Sequence, residues 1–145
     1  MTIDIREFKS ADYDAAIALW RAADGVTLRG ADSRDAIDAY LARNAGLSFV
    51  AVTGGRLVGA VLCGTDGRRG YLNHLAVAAD CRRAGIGRQL AERCAAALAS
   101  RGIRKCHLMV VSTNDAARSF WMRVGWLERG DVILMSRSAP GAVNP

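Results

Sequence analysis

LAVAADCRRAGIGRQL, residues 75–90, passes from an apolar strand pattern through a basic turn with two glycines into a helical pattern. Gly85 and Gly87 let the backbone turn tightly and approach a ligand closely. The start of a helix presents unpaired N–H groups at the positive end of its dipole. Arg82, Arg83 and Arg88 surround that point. On physical grounds alone the stretch reads as a phosphate cradle. A dinucleotide fingerprint needs a third glycine where Leu90 stands, and Ala79 and Asp80 make the approach too long for its tight turn. A P-loop needs a lysine, and this turn has none.

Upstream, Ile3, Ile5 and Phe8 sit among charged residues as a first strand. Ser10 offers an N-cap to a helix with Tyr13, Ala16, Ile17 and Trp20 on one face, ended by Gly25. A second helix starts near Ser33, groups Ala36, Ile37, Tyr40 and Leu41, and stops by Gly46. Residues 47–53 and 56–63 are apolar runs joined by Gly54 and Gly55, a β-hairpin signal because both central positions accept positive φ. Residues 71–78 predict a fourth strand. The segment ADCRRAGIG then opens a long helix with a core stripe of Ile86, Leu90, Cys94, Ala97 and Leu98, closed by Arg101 and Gly102. A fifth strand follows at 106–111, then a helix at 114–124 with an Asn or Asp cap. A last pair of strands is expected at 126–129 and 132–136 around Gly130 and Asp131. This order fits a mixed α/β sheet covered by helices. One domain is expected over residues 1–137, followed by a loose tail at 138–145.

Composition agrees with a single packed unit. The 145 residues are 51% apolar and 23% charged with 2 prolines, and a chain of this length buries roughly 70% of its extended surface. The net charge of +6 is uneven. Residues 1–40 carry eight acids and five bases, whereas residues 81–105 hold seven bases against Glu92. Such a concentration points to an anionic partner. Nucleic acid fits poorly, because neither aromatic interleaving nor a helix-turn-helix pattern accompanies the basic window. Cys63, Cys81, Cys94 and Cys106 form no Cys-x-x-Cys pair, and only His74 and His107 could join them, so no metal site is expected. Cys63 and Cys94 read as packing residues, Cys81 beside two arginines as a weak candidate for a reactive thiol, and His107 as structural. No run approaches the ~18 apolar residues of a membrane span. Free thiols in a reducing cytoplasm are the plain expectation.

The pattern Arg82-x-x-Gly85-x-Gly87 after Leu75, Ala76 and Val77 resembles the acetyl-CoA pyrophosphate motif of the GNAT superfamily of N-acetyltransferases. Asn114, Ala117, Phe120, Trp121, Gly125 and Trp126 are similar to that family's second motif, Asn followed by Ala-x-x-Phe-Tyr-x-x-x-Gly-Phe. The resemblance covers residues 1–136. It implies a mostly antiparallel sheet whose fourth and fifth strands splay apart, and transfer of acetyl from acetyl-CoA, as co-substrate, to a primary amine by direct attack in a ternary complex. It also implies backbone groups of Leu75, Ala76 and Val77 beside the pantetheine and acetyl group. Amides of Arg83, Ala84, Gly85, Ile86, Gly87 and Arg88 would hold the pyrophosphate, with Arg82 supporting the turn or reaching phosphate. Asn114 would bond the pantetheine, and Phe120 and Trp121 would line its thiol end. The partner is then a small-molecule or peptide amine, without nucleic acid or membrane, and a homodimer is compatible with such folds.

Direct attack needs a proton removed from the ammonium, an oxyanion stabilised and a thiolate released. A backbone N–H near residues 75–77 can serve the oxyanion. Many relatives carry a carboxylate on the fourth strand, whereas this chain has Asn73 and His74. His74, a water-mediated path, or a distant acid such as Asp24 or Asp66 are the candidates for the base. Trp121 stands where the family usually has a tyrosine acid. An indole N–H donates a hydrogen bond but does not give up its proton. A thiol of pKa roughly 8.5 can leave as thiolate or take a proton from water, Ser119 or Tyr71. The alternative is a catalytically weak acyl-CoA sensor on the same fold. The acceptor is expected beside residues 24–33 and the first two helices, with the turn of Asp66, Arg68 and Arg69 as a further candidate wall.

Overall fold

A computed structural model describes residues 2–145. Its elements are β1 (Asp4–Glu7), α1 (Tyr13–Ala22), α2 (Arg34–Arg43), β2 (Phe49–Thr53), β3 (Arg56–Thr65), β4 (Gly70–Val77), α3 (Ile86–Ala99), β5 (Cys106–Leu108) and α4 (Asp115–Arg123). The strands form one sheet in the order β1-β2-β3-β4-β5, antiparallel except for the parallel β4–β5 pair.

Alternation along the strands divides the core in two. Phe49, Ala51, Val61, Cys63 and Leu72 meet Ile86, Leu90, Cys94 and Leu98 of α3 on one face. Val50, Ala60, Leu62 and Ala76 meet Ala16, Ile17 and Trp20 of α1 and Ile37 of α2 on the other. Of the apolar stripes anticipated on the first three helices, these positions are the buried ones, while Tyr13, Ala36, Tyr40, Leu41 and Ala97 are half-buried at the margin. Ser33 caps α2 as expected, accepting from the Ala36 N–H. Ser10 does not cap α1. It begins a short 3-10 turn, Ser10–Asp12, whose closing Asp12 accepts the Lys9 N–H and a two-point bond from Arg6.

Two strand expectations are corrected. β5 stops at Leu108 rather than running to residue 111: residues 109–111 leave the β4 ladder and lead into a turn in which the Asn114 N–H bonds the Val111 carbonyl. The expected pair at 126–129 and 132–136 does not form, leaving Leu127, Ile133, Leu134 and Met135 exposed. The polar residues of that segment are engaged locally instead: Glu128 accepts from Arg118, and Arg129 pairs with Asp131. A three-residue edge strand also offers little ladder for a further strand to join.

Pairing of β4 with β5 ends at Leu72 opposite Leu108, although β4 continues to Val77. The far half of β4 therefore has no neighbour on that side. Within it, the β3 register moves from Leu62 opposite Asn73 to Ala60 opposite Ala76, so Val61 faces both His74 and Leu75. This is a β-bulge, and it rephases the strand just where the sheet opens.

Cys63, Cys81 and Cys94 are buried, and all four cysteines are free. Cys94 is pushed well above the ordinary thiol range by the adjacent Cys63 thiol and by burial, and Cys106 is raised by burial. The burial of Cys81 removes it as a reactive thiol. Among the described residues no helix is long and apolar enough to cross a membrane, and no group of three or more metal-binding side chains gathers.

Candidate active site

The basic turn is not yet helix. After the 3-10 turn Ala79–Cys81, residues 82–85 form an exposed bend, and α3 begins only at Ile86. Arg83 and Gly85 both take positive φ, 67° and 78°. The left-handed N-cap Gly85 contributes no side-chain cap, and the first turn of α3 holds no acid. The first turns of α1, α2 and α4 contain Asp14, Asp35 and Asp115, and side chains cap α2 and α4. The first N–H groups and positive dipole end of α3 are thus left for an outside anion, with Arg82, Arg83 and Arg88 exposed around them. Asp80, the nearby carboxylate, is engaged by Arg56 in a two-point ion pair that holds it below the ordinary carboxylate range.

Gly87 has a second use. A Cβ there would lie 3.1 Å from Phe120 Cζ and 3.8 Å from Leu75 Cδ2. Its missing side chain lets α4 close over α3, so residues of β4, α3 and α4 separated widely in sequence meet at the opening. Phe120 packs edge-on against Trp121 at 5.0 Å, and Trp121 against Trp126 at 5.1 Å. Asn114 is the N-cap of α4, where its Oδ1 accepts the Ala117 N–H. Its Nδ2 lies beside Gly25, where a Cβ would come within 2.5 Å.

His74 occupies the bulge at φ 56°, a backbone region that disfavours side chains. Its carbonyl accepts the buried Trp20 Nε1–H at 2.7 Å, and the two rings pack 5.2 Å apart. Its Nε2 lies 2.8 Å from Asp32 Oδ1. Asp32 was not anticipated as a site residue, and nothing in its local sequence marks it, because its partner is 42 positions away. The imidazole is 21% exposed and so can be reached.

Asp66 Oδ1 accepts the Arg68 and Arg69 N–H groups, which hold its carboxyl below the ordinary range. Asp24 lies exposed in the turn after α1. His107 packs against Tyr71 with the ring centroids 5.9 Å apart and the planes tilted by 43°. A hollow of about 220 Å³ opens between α2 and the β3–β4 end of the sheet, lined by Tyr40, Asn44, Asp66, Tyr71 and Asn73 among others. Burial pushes the Tyr40 hydroxyl up to about 12, partly offset by its bond with Asn73.

Residues 13–126 match the Acetyltransferase (GNAT) family. The chain belongs to this family. It is 34% identical over 135 residues to an acetyltransferase of Pectobacterium atrosepticum, covering 93% of this chain and 94% of that one. An acetyltransferase of Sodalis glossinidius is 32% identical over the same length and coverage. Among solved structures, the PaiA N-acetyltransferase of Thermoplasma acidophilum, in complex with coenzyme A, superposes with a TM-score of 0.76. It covers 85% of this chain and 88% of that one at 20% identity. GNAT membership makes the protein an acyltransferase, and the mostly antiparallel sheet with a parallel β4–β5 pair is the fold anticipated from the two motifs.

Proposed function

We propose that this GNAT acetyltransferase moves an acetyl group from acetyl-CoA to a primary amine by direct attack. The observation that carries this reading is the convergence of an acid-free, uncapped α3 N-terminus with the open half of β4. A diphosphate fits the first feature, and a narrow acylated arm fits the second. Acetyl-CoA, when bound, supplies an activated acetyl thioester. First-turn amides and Arg82, Arg83 and Arg88 hold its phosphates. The free backbone edge of residues 75–77 aligns its arm and receives the developing oxyanion, while Asn114 Nδ2 and Phe120 border the arm on the α4 side.

The amine enters from the side of α2 and the Asp66 turn. His74 takes a proton from its ammonium form. As the nitrogen–carbon bond forms and the carbon–sulfur bond breaks, the nitrogen gives up two protons in all. One ends on the sulfur and one in solvent, so no oxidant or reductant is required. Trp121 walls the thiol end and donates no proton.

Isothermal titration of CoA, followed by a thiol-release assay with acetyl-CoA, tests the proposal. The amines are putrescine, a peptide with an internal lysine and a peptide with a free N-terminal alanine. Binding together with turnover of one amine is the expected result. Absence of CoA binding overturns the whole assignment, and binding without turnover of any amine favours a sensor.

A further inference from the structure

We infer that Asp32 is a positioning residue for His74, fixing the imidazole as the Nε2–H tautomer so that Nδ1 is the bare nitrogen. The inference rests on the reading of His74 as the base.

The backbone supplies the first argument. Position one of a left-handed β-bulge is a usual place for glycine, since any side chain there is strained by roughly 1–3 kcal/mol. This chain has His74 at that place, with φ 56°. The bulge also puts Asn73 and His74 on the same side of the sheet. Asn73 lines the hollow near Tyr40, while His74 packs on Trp20 of α1. Without the bulge, adjacent residues would point to opposite faces. Bulge and histidine together bring an imidazole to the acceptor side of the open strand.

The second argument is the completeness of the Asp32 bonding. Asp32 closes the 3-10 turn Gly30–Asp32 and is itself only 8% exposed. Its Oδ2 accepts the Arg29 backbone N–H at 2.9 Å, its carbonyl accepts the Tyr13 hydroxyl at 2.6 Å, and its Oδ1 meets His74 Nε2. No Arg or Lys side chain is among these partners. A carboxylate only accepts, so the hydrogen lies on Nε2 and the free lone pair on Nδ1. A buried carboxylate oriented by one backbone donor and aimed at one imidazole has the chemistry of an orienting group, which also stabilises the imidazolium formed when the base acts.

Asp32→Asn gives a sharp test, because the two side-chain positions are not equivalent. The Arg29 N–H claims the single amide oxygen, which turns the NH₂ toward His74. A ring nitrogen facing that donor must be bare, so the hydrogen moves to Nδ1. Long-range ¹H–¹⁵N spectra of the labelled full chain read this directly, since it has 2 histidines and His74→Ala assigns them. The expected result is Nε2–H in the wild type and Nδ1–H in Asp32→Asn. The CoA Kd should stay within about twofold, and kcat should fall by about 10²-fold with the fastest of the three amines above, at little change in KM. A wild-type Nδ1–H tautomer overturns the inference without any variant, which covers failure of Asp32→Asn to fold. An unchanged tautomer in Asp32→Asn, or a changed tautomer with unchanged kcat, also overturns it. If His74→Ala keeps full turnover, the base reading falls and takes the catalytic purpose of Asp32 with it, whereas loss of turnover supports both.

Discussion

Two neighbouring stretches of this chain bend into left-handed backbone for opposite reasons. At residues 83–85 the bend leaves the first amides of α3 uncapped, with Arg83 exposed on it and a glycine as N-cap that has nothing but the Gln89 side chain within van der Waals reach of an added Cβ. At His74 the bend delivers a side chain, and it is held by Trp20 from beneath and Asp32 from beside. On the proposed function, the first region offers backbone and lets charge do the recognition. The second accepts strain to hold one ring in one orientation. Binding tolerates an adaptable cradle, whereas proton transfer needs geometry fixed to a few tenths of an ångström.

Substitution at the strained histidine probes the contrast most severely. His74→Ala should lower kcat by about 10²-fold or more while leaving CoA affinity within twofold, measured by thiol release and calorimetry. His74→Gly should be equally inactive yet more stable than His74→Ala by about 1 kcal/mol, because only glycine relieves the positive φ. Equal melting temperatures for the two variants would show that the bend stores no strain.

The cradle should respond in the opposite parameter. Gly85→Val places a β-branched residue at φ 78° and should raise the CoA Kd about tenfold, near 1.4 kcal/mol, with kcat at saturating acetyl-CoA largely kept. A large fall in kcat instead would break the division between the two regions.

Trp20→Phe keeps an aromatic ring but removes the N–H that bonds the His74 carbonyl and part of the buried indole volume. A loss of about 2–3 kcal/mol in denaturant stability and a severalfold fall in kcat are expected. Smallest is Arg56→Gln, which frees the Asp80 charge beside the cradle and should weaken CoA about twofold at low salt, with no effect at high salt. The Asp80 carboxyl is depressed, first by the Arg56 hydrogen bond, so the pair is whole above the ordinary carboxylate value and is lost only as pH falls through the depressed one. Its influence on CoA binding should therefore stay level between pH 5 and 9, measured by titration at several pH values.

The cradle was legible because its parts are local. Arginines and glycines within seven residues, placed between a strand and a helix, carry the motif in one continuous stretch. Asn114, Phe120 and Trp121 belong to a second local motif, and the structure brings Phe120 against Gly87 of the first. The function of Gly87 was only half visible, since the contact that needs it comes from Phe120 on another helix. The bulge was hidden because YLNHLAVA keeps an apolar pattern that an unbroken strand would also show, and the extra residue reveals itself only against Val61 of β3. Asp32 was invisible as a partner of His74, although the loop containing it had been marked for the acceptor side. The turn residues Gly130 and Asp131 suggest a strand pair on either side of them, but they do not say that a ladder of adequate length awaits it.

The thiol inventory has a practical consequence for every assay above. Cys63, Cys81 and Cys94 are shut away, and Cys94 and Cys106 are both shifted against forming thiolate. A colorimetric thiol reagent added to the native enzyme should therefore report released coenzyme against a nearly silent background. The same reagent in denaturant should titrate four protein thiols. Any rise of the blank beyond the single half-buried thiol of Cys106 and toward four measures the fraction of unfolded chains in the cuvette, so each kinetic trace of a variant carries its own foldedness control.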